Sequence, residues 1–364
     1  MFRSVASHSL LRRKTTPVSS MLLRLSHTAT AVEASDRFRV VIVGTGWAGY
    51  KLLINGKERR DDIERALGKP VDFVVISERN HFLYTPLLAS TTVGTLEFRS
   101  ITEPVRESSF RHEQDFVLAS VQSIDTESKQ VQCQSTLSTD LNYKIDYDML
   151  VVACGSVPST FGLPGVTEHA FFLKEVHHAR EIRRRILENF ELATQPGVSE
   201  ATQRQLLHFI VVGGGPTGIE FCAELYDFVN EDLTRLYPQV GQIMSLIDAG
   251  EILSMFNASL RERAMRKIEN RQSMRIIKHN CTEVKSNAVV LDTGEEIPCG
   301  LVVWTAGVGP NTLTKTLPWA KSKRGNILTN QFCQVGLHPP CLKYFLVLSS
   351  EILCFGVSLE FKSI

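Results

Sequence analysis

Two glycine-rich turns are the features of this 364-residue chain most able to do chemistry. The first reads Gly44-Thr-Gly46-Trp-Ala-Gly49, and the second reads Gly213-Gly-Gly215-Pro-Thr-Gly218. Each follows a short apolar run rich in β-branched residues and precedes a stretch of helix-forming residues. Such a turn lets backbone N–H groups approach a pyrophosphate at the positive end of a helix, which side chains would prevent. The pattern predicts two dinucleotide-binding sites in one chain.

An acidic residue stands where the second strand of each predicted βαβ unit ends. Glu78 lies 34 residues after Gly44, and Asp248 lies 35 residues after Gly213. Both spacings exceed the roughly 20 residues of the simplest fingerprint, so each unit needs an extended crossover helix. A carboxylate at this point either accepts hydrogen bonds from a ribose or is simply solvated. Because Asp248 would repel a 2′-phosphate, we expect the second site to prefer NADH to NADPH.

The presence of two dinucleotide sites indicates one tightly held cofactor and one that exchanges. Hydride transfer between a flavin and a nicotinamide is the simplest chemistry for such a pair. Apolar runs at residues 39–43 and 71–76 frame the first turn, and runs at 206–212 and 243–248 frame the second. Alternating stretches at residues 115–145 predict an antiparallel insertion. The predicted fold class is therefore α/β, a two-dinucleotide-binding flavoprotein with two Rossmann-like domains.

The first 32 residues carry basic side chains and no acid. Serine and threonine are frequent there, the longest apolar run has three residues, and the five bases are Arg3, Arg12, Arg13, Lys14 and Arg24. This composition is typical of a mitochondrial transit peptide, with a plastid address or a disordered basic tail as alternatives. Without these five, 35 of the 40 Lys and Arg remain against 39 Asp and Glu. Nucleic acid is therefore not expected as a partner.

Three longer stretches resemble the type II, non-proton-pumping NADH:quinone oxidoreductases, also called alternative NADH dehydrogenases. They are NHFLYTPLLASTTVGTLEFRS at residues 80–100, FIVVGGGPTGIEF at 209–221 and VWTAGVGP at 303–310. The resemblance covers about residues 37–335. It implies oxidation of NADH by bound FAD in the respiratory chain, with electrons passed to ubiquinone. It also implies the surface of the inner mitochondrial membrane as a partner and allows a homodimer.

By this resemblance, two sets of residues hold the two cofactors. FAD would be held by the first turn and its surroundings, namely Gly44, Gly46, Gly49, Glu78, Arg79, Ala153, Cys154 and Gly155. Cys154 stands where threonine is usual in the family. NADH would be held by the second turn and its surroundings, namely Gly213, Gly215, Gly218, Asp248, Ala306 and Gly307. Glu220 is the candidate catalytic residue at the nicotinamide, unless it only complements the dipole of its helix.

The resemblance also divides the chain into five predicted segments. They are a transit peptide or disordered region at 1–36, the first part of an FAD-binding domain at 37–165, an NADH-binding domain at 166–309, a return toward the FAD domain at 310–335 and a divergent tail at 336–364. Residues 85–88 would lie near the flavin and the quinone, or would form only a turn and core.

The tail is where the sequence departs from the family pattern. Family members continue from this return into a strand that ends in Gly-Asp and then into membrane-binding helices, but this chain has no Gly-Asp dipeptide. We therefore expect the first sheet to lack its final strand and to expose an edge. No transmembrane helix is expected in the tail, because charges interrupt its apolar runs. A truncated, catalytically impaired product that still binds NADH is the alternative.

Eight cysteines are scattered along the chain without a C-x-x-C or other close pair. This spacing predicts isolated thiols and no metal site. A disulfide or sulfide oxidoreductase of similar fold is a further alternative, but its chemistry needs paired redox cysteines close to the flavin. Only Cys154 lies near the proposed flavin site, which favours the NADH:quinone reaction.

Overall fold

The computed structural model describes residues 36–108, 110–238, 241, 243–271, 273–335 and 345–347. The prediction of a transit peptide at residues 1–36 therefore falls almost wholly outside the described residues. The same holds for the tail after Val335, apart from residues 345–347.

Short strands carry most of the fold. In chain order they are β1 (Phe38–Val43), β2 (Val71–Ser77), β3 (His81–Leu83), β4 (Thr102–Pro104), β5 (Phe116–Asp125), β6 (Gln130–Ser135), β7 (Asn142–Asp146), β8 (Met149–Val152), β9 (Ser156–Pro158), β10 (Phe171–Phe172), β11 (His208–Val212), β12 (Ile243–Ile247), β13 (Met274–Ile277), β14 (Cys281–Val284), β15 (Ala288–Leu291), β16 (Glu296–Pro298), β17 (Leu301–Trp304), β18 (Val308–Pro310) and β19 (Phe345–Val347).

The helices connect these strands and cover the sheets. In chain order they are α1 (Trp47–Glu58), α2 (Arg60–Leu67), α3 (Leu88–Val93), α4 (Val166–His169), α5 (Val176–Ala193), α6 (Glu200–Leu206), α7 (Pro216–Phe228), α8 (Thr234–Leu236), α9 (Ala258–Glu269) and α10 (Thr312–Thr316). A π-helical turn at Val229–Leu233 joins α7 to α8. Single 3-10 turns occupy Thr85–Leu87, Phe98–Ile101, Val105–Ser108 and Glu113–Asp115.

The first sheet has the strand order β19-β8-β1-β2-β5-β6-β7. Strands β19, β8, β1, β2 and β5 run parallel, whereas β5, β6 and β7 pair antiparallel. Every residue of β2 is buried, as expected for a parallel strand covered on both faces. The antiparallel insertion predicted for residues 115–145 is confirmed.

The second sheet is parallel throughout and has the order β10-β17-β11-β12-β13. Strands β14, β15 and β16 form a separate antiparallel sheet. Strand β9 pairs antiparallel with β18, and β3 pairs antiparallel with β4. The predicted α/β class, with a parallel sheet around each glycine turn, is confirmed.

The expectation that the first sheet lacks its final strand is wrong. Strand β19 pairs in parallel with β8, with Leu346 opposite Val151. The requirement at a sheet edge is a backbone that can satisfy the free N–H and C=O groups, and the backbone of Phe345–Val347 does so without the Gly-Asp of the family. The edge of β8 is therefore covered by residues of the divergent tail.

Helix α3 joins the core of the second sheet, although it lies in the segment predicted as the first domain. Leu88, Ala89 and Val93 share an apolar cluster with Ile182 of α5 and Phe221 of α7. The described residues from Phe38 onward form one compact unit. The boundary between 165 and 166 therefore stays a prediction.

Candidate functional site

The first glycine turn is closed by backbone contacts that exclude any side chain. Gly44 follows β1 with φ of +106°, and a Cβ on it would come closer than 3.0 Å to the carbonyl of Ala153. A Cβ on Gly49 would meet the carbonyl of Gly44 equally closely. Because β8 lies beside β1, the turn that follows β8 reaches this point. The structure thus brings Gly44, Gly49 and Ala153 together as predicted.

Gly46 faces open space instead. It caps the N-terminus of α1 in an extended conformation, and the atom nearest to an added Cβ is Nη2 of Arg79 at 3.7 Å. Backbone N–H groups at the start of α1 therefore border a cavity beside a guanidinium group. This is the arrangement that receives a phosphate at a helix N-terminus.

Arg79 is held over this cavity by an ion pair. Its Nη1 donates to Oε1 of Glu175 at 3.1 Å and to Oε2 at 2.9 Å, with each side chain about a quarter exposed. Glu78 follows β2 as predicted and is exposed. Glu78 and Arg79 thus lie directly after β2, where the carboxylate was expected to accept hydrogen bonds from a ribose or to be solvated.

Thr85, from the segment expected near the flavin, lines the same cavity as Gly46, Arg79, Cys154 and Gly155. Sequence reasoning missed four other side chains that line it, namely Trp47, Ser156, Lys174 and Glu175. Nε1 of Trp47 donates to Oγ1 of Thr85 at 3.0 Å. Burial lowers the pKa of Lys174; Glu175 opposes this shift and Arg79 adds to it. In the described part of the chain, the Lys174 ammonium has no hydrogen-bond or ion-pair partner. No local pattern signals Lys174, which is brought here from the residues directly before α5.

The second glycine turn is built in the same way. Gly213 follows β11 with φ of +116°, and a Cβ on it would lie 2.8 Å from the Ala306 nitrogen. Oγ1 of Thr305 donates to the carbonyls of Val212 at 3.0 Å and Gly213 at 3.1 Å. A Cβ on Gly218 would strike the Gly213 carbonyl. Ala306 and Gly307 therefore lie beside the second turn, where the resemblance placed them.

Asp248 takes part in the second turn itself. Its Oδ2 accepts a hydrogen bond from the Gly214 N–H, and its Oδ1 accepts one from the Gly250 N–H at 2.7 Å. Each carboxylate oxygen has a second lone pair, so a contact with a ribose stays a prediction. The observed bonds show that Asp248 shapes the turn, which sequence reasoning did not foresee.

Glu220 lies one helical turn inside α7 and its residue is exposed. Partial burial of its carboxyl raises its pKa above the ordinary 4.5. The carboxyl therefore keeps a proton to a higher pH than a free glutamate does.

A two-stranded antiparallel ribbon joins the two segments that pack against the glycine turns. Cys154 and Gly155 run directly into β9, Ala306 and Gly307 run directly into β18, and these strands pair with Val157 opposite Gly309. Nδ2 of Asn311 also donates to the carbonyls of Cys154 at 3.1 Å and Gly155 at 3.2 Å. Two dinucleotides bound at these turns would therefore lie next to each other.

Comparison with known proteins agrees with this geometry. A family model described as pyridine nucleotide-disulphide oxidoreductase matches residues 38–339. The chain belongs to the pyridine nucleotide-disulphide oxidoreductase family.

The chain is 43% identical over 302 residues to a probable NADH dehydrogenase of Dictyostelium discoideum, and the match covers 82% of this chain and 64% of that protein. It is 40% identical over 311 residues to the mitochondrial internal alternative NAD(P)H-ubiquinone oxidoreductase A1 of Arabidopsis thaliana, covering 82% and 59%. The chain thus spans less than two thirds of these relatives. The resemblance to alternative NADH dehydrogenases is confirmed.

A solved structure is also similar to this chain. NDH2 from Plasmodium falciparum, in complex with NADH, superposes with a TM-score of 0.68 at 27% identity, covering 77% of this chain and 58% of that one. The two chains therefore share a similar fold over the covered part.

The family's name includes disulfide chemistry, but the cysteines here do not favour it. Of the described cysteines, Cys154 alone lines the first cavity, with its Sγ 3.7 Å from Oγ1 of Thr314. The curated relatives are named as NADH or NAD(P)H oxidoreductases instead.

Within residues 36–335, gaps aside, no group of side chains is arranged to hold a metal. Among the helices that the structure describes, none is long and apolar enough to cross a membrane.

Proposed function

We propose that this chain is an FAD-dependent NADH:ubiquinone oxidoreductase that does not pump protons. The observation that carries the proposal is the pair of glycine turns connected through the ribbon of β9 and β18. Two cofactors held on connected turns can exchange a hydride without a large movement of the chain. The names of the curated relatives support ubiquinone as the electron acceptor.

The first turn fits FAD. Gly44 and Gly49 tolerate no side chain, yet Gly46 opens on a cavity in which Arg79 and Lys174 can balance the charge of a pyrophosphate. Ala153, Cys154 and Gly155 would border the flavin end. When bound, FAD supplies the acceptor for the hydride of NADH and the donor of electrons to the quinone.

The second turn would hold NADH through Gly213, Gly215 and Gly218, with Asp248 at the adenosine end. Ala306 and Gly307 would direct the nicotinamide toward the first site, because their backbone continues into the ribbon. Glu220 would hold or release a proton at its Oε atoms near the nicotinamide. The sequence prediction of NADH and FAD as cofactors thus becomes part of this proposal.

The quinone would approach the segment around Thr85, which borders the first cavity. Tyr84, Leu87 and Phe98 expose large apolar surfaces along this segment, and an apolar surface suits a hydrophobic acceptor. We place the protein at the surface of the inner mitochondrial membrane, since the N-terminal residues are basic and the plant relative is named mitochondrial. A homodimer belongs to the same proposal.

Flavin titration followed by anaerobic addition of NADH tests the proposal. The purified chain should bind one FAD, the visible flavin absorbance should bleach with NADH, and ubiquinone should restore it. A chain that binds NADH but never bleaches flavin would be the catalytically impaired product. Alkylation of thiols beforehand should not change the result, whereas a disulfide oxidoreductase would lose activity.

Asp248 should decide between NADH and NADPH. In the Asp248→Asn variant, the repulsion of a 2′-phosphate disappears, while one side-chain oxygen can still accept a hydrogen bond. Two unit charges about 4 Å apart interact by about 1 kcal/mol in bulk water and about 4 kcal/mol near a protein surface, so the ratio of kcat/KM for NADH to that for NADPH should fall about tenfold or more. Steady-state kinetics with both cofactors measure this ratio. Glu200→Gln, on the distant helix α6, should leave it unchanged; an unaltered ratio in Asp248→Asn would contradict the assignment.

Glu220 should set one limb of the pH profile. Because burial raises its pKa, the change from protonated to ionised carboxyl occurs above pH 4.5. Glu220→Gln, which stays neutral, should remove this inflection from the pH dependence of NADH oxidation and lower turnover about tenfold or more. Flavin-loaded protein assayed over a pH range that begins at 4.5 checks both effects. A profile that keeps its inflection would assign the titration to another group.

A further inference from the structure

The segment from Tyr84 to Leu96 contacts the two helices that follow the glycine turns, α1 and α7. At its start, Thr85 accepts a hydrogen bond from Trp47, the residue next to Gly46. At its end, two hydroxyls bind the same carboxylate on α7: Oγ of Ser90 donates to Oε1 of Glu224 at 2.7 Å, and Oγ1 of Thr95 donates to Oε2 at 3.0 Å. This segment therefore bridges the helices that follow the first and second turns.

Helix α3, in the middle of this segment, is packed against α5 and α7. Leu88 and Val93 lie in the core cluster that contains Phe221 and Leu225 of α7. Gly94 ends α3 with φ of +85°, and a Cβ on it would overlap the guanidinium of Arg183 from α5. This packing holds α3 against both helices, and the polar contacts between α3 and α7 add direction to it. Two hydrogen bonds, from Ser90 and Thr95, tie α3 and the turn after it to Glu224 of α7.

Glu224 follows Glu220 by four residues on α7, so both side chains project from the same face of that helix. The N-terminus of α7 is the second turn. A shift of α7 relative to α3 would therefore move Gly215 and Glu220 relative to Thr85 and the first cavity. Transfer between the two bound cofactors depends on their separation, and a misplacement of about 1 Å can cost roughly 100-fold in rate.

We propose that Glu224 is a positioning residue that sets the distance between the two cofactor sites by fixing α3 on α7 through Ser90 and Thr95. This inference rests on the proposed function. The Glu224 carboxylate makes two charge-assisted hydrogen bonds, which are stronger than neutral ones and directional. Glu224 itself need not touch either cofactor.

Anaerobic stopped-flow reduction of the flavin-loaded protein by NADH tests the role of Glu224. In Glu224→Ala, the rate at saturating NADH should fall about 10- to 100-fold, while the NADH concentration at half-saturation changes little. Glu224→Gln should recover much of the rate, because its amide can still pair with both hydroxyls. Asp227→Asn is the matched control: it neutralises another acid of α7, whose partner Arg271 lies 3.0 Å away, and it should behave as the parent chain.

Amide hydrogen exchange provides a readout independent of catalysis. Residues 88–96 should exchange faster in Glu224→Ala and in the double variant Ser90→Ala/Thr95→Val, with or without FAD, and not in Asp227→Asn. If Glu224→Ala does not fold, the double variant decides by the same two measurements. A parent chain that NADH does not reduce would overturn the proposed function and this inference together. A reducible parent with an equally fast Glu224→Ala, or a variant altered only at half-saturation, would overturn this inference alone.

Discussion

The Gly46→Ala variant should fold like the parent chain and lose most of its affinity for FAD. Gly46 has φ of −76° and ψ of −169°, which any residue adopts, and its added Cβ would meet only Nη2 of Arg79 at an ordinary 3.7 Å. The same methyl group would cover the backbone N–H groups that receive a pyrophosphate. Hydrogen bonds to charged groups contribute about 1.5 to 3 kcal/mol each, so the Kd for FAD should rise at least about tenfold.

Titration of the variant with FAD, alongside circular dichroism and thermal unfolding, separates binding from folding. Gly68→Ala should show the opposite result, a loss of stability without a loss of FAD affinity. Gly68 has φ of +68° and lies in open space at the end of α2. Gly68→Ala should lose about 1 kcal/mol of stability from backbone strain and keep its flavin. Unchanged FAD affinity in Gly46→Ala would mean that the first turn is a structural turn and not a phosphate site.

Buried parallel strands were the elements that the sequence predicted best. The parallel strands β1, β2, β11 and β12 lie in the expected apolar runs, with bounds that differ from the expected ones by one or two residues. Each strand is a short, β-branched run that stops at a polar or glycine residue, so the signal is entirely local. The glycine turns could be placed for the same reason, since the strand-turn-helix order is written within some fifteen residues.

Contacts between distant segments could not be predicted in this way. Lys174 and Glu175 reach the first cavity from the residues directly before α5, and no periodicity of their own segment indicates this position. The ribbon of β9 and β18 pairs three residues with three others some 150 positions away, a pairing too short to leave a pattern. Strand β19 pairs because of its backbone and its place at a sheet edge, although its sequence departs from the family. Tertiary packing decides where these two side chains lie and how these strands pair.

The second turn allows a test of NADH binding that leaves the flavin site untouched. Gly215 caps α7 with φ of −74° and ψ of 179°, an extended conformation that alanine shares. A Cβ on Gly215 would meet no atom within 4 Å. The Gly215→Ala variant should therefore keep its stability and its FAD, while the Kd for NADH rises at least about tenfold through loss of hydrogen bonds to the pyrophosphate. Equilibrium titration with NADH under anaerobic conditions measures this change.

Gly218→Ala is the contrasting variant for this test, because Gly218 is closely packed and Gly215 is not. A Cβ on Gly218 would press on the Gly213 carbonyl and on Oγ1 of Thr305, so this variant should lose NADH affinity and stability together. If Gly215→Ala lost stability as well, its effect on NADH would be an indirect result of misfolding. If it kept both stability and NADH affinity, the pyrophosphate could not lie on the second turn, and the nicotinamide would have to reach the flavin from elsewhere. Only loss of NADH at constant stability places the ligand against the open face of Gly215.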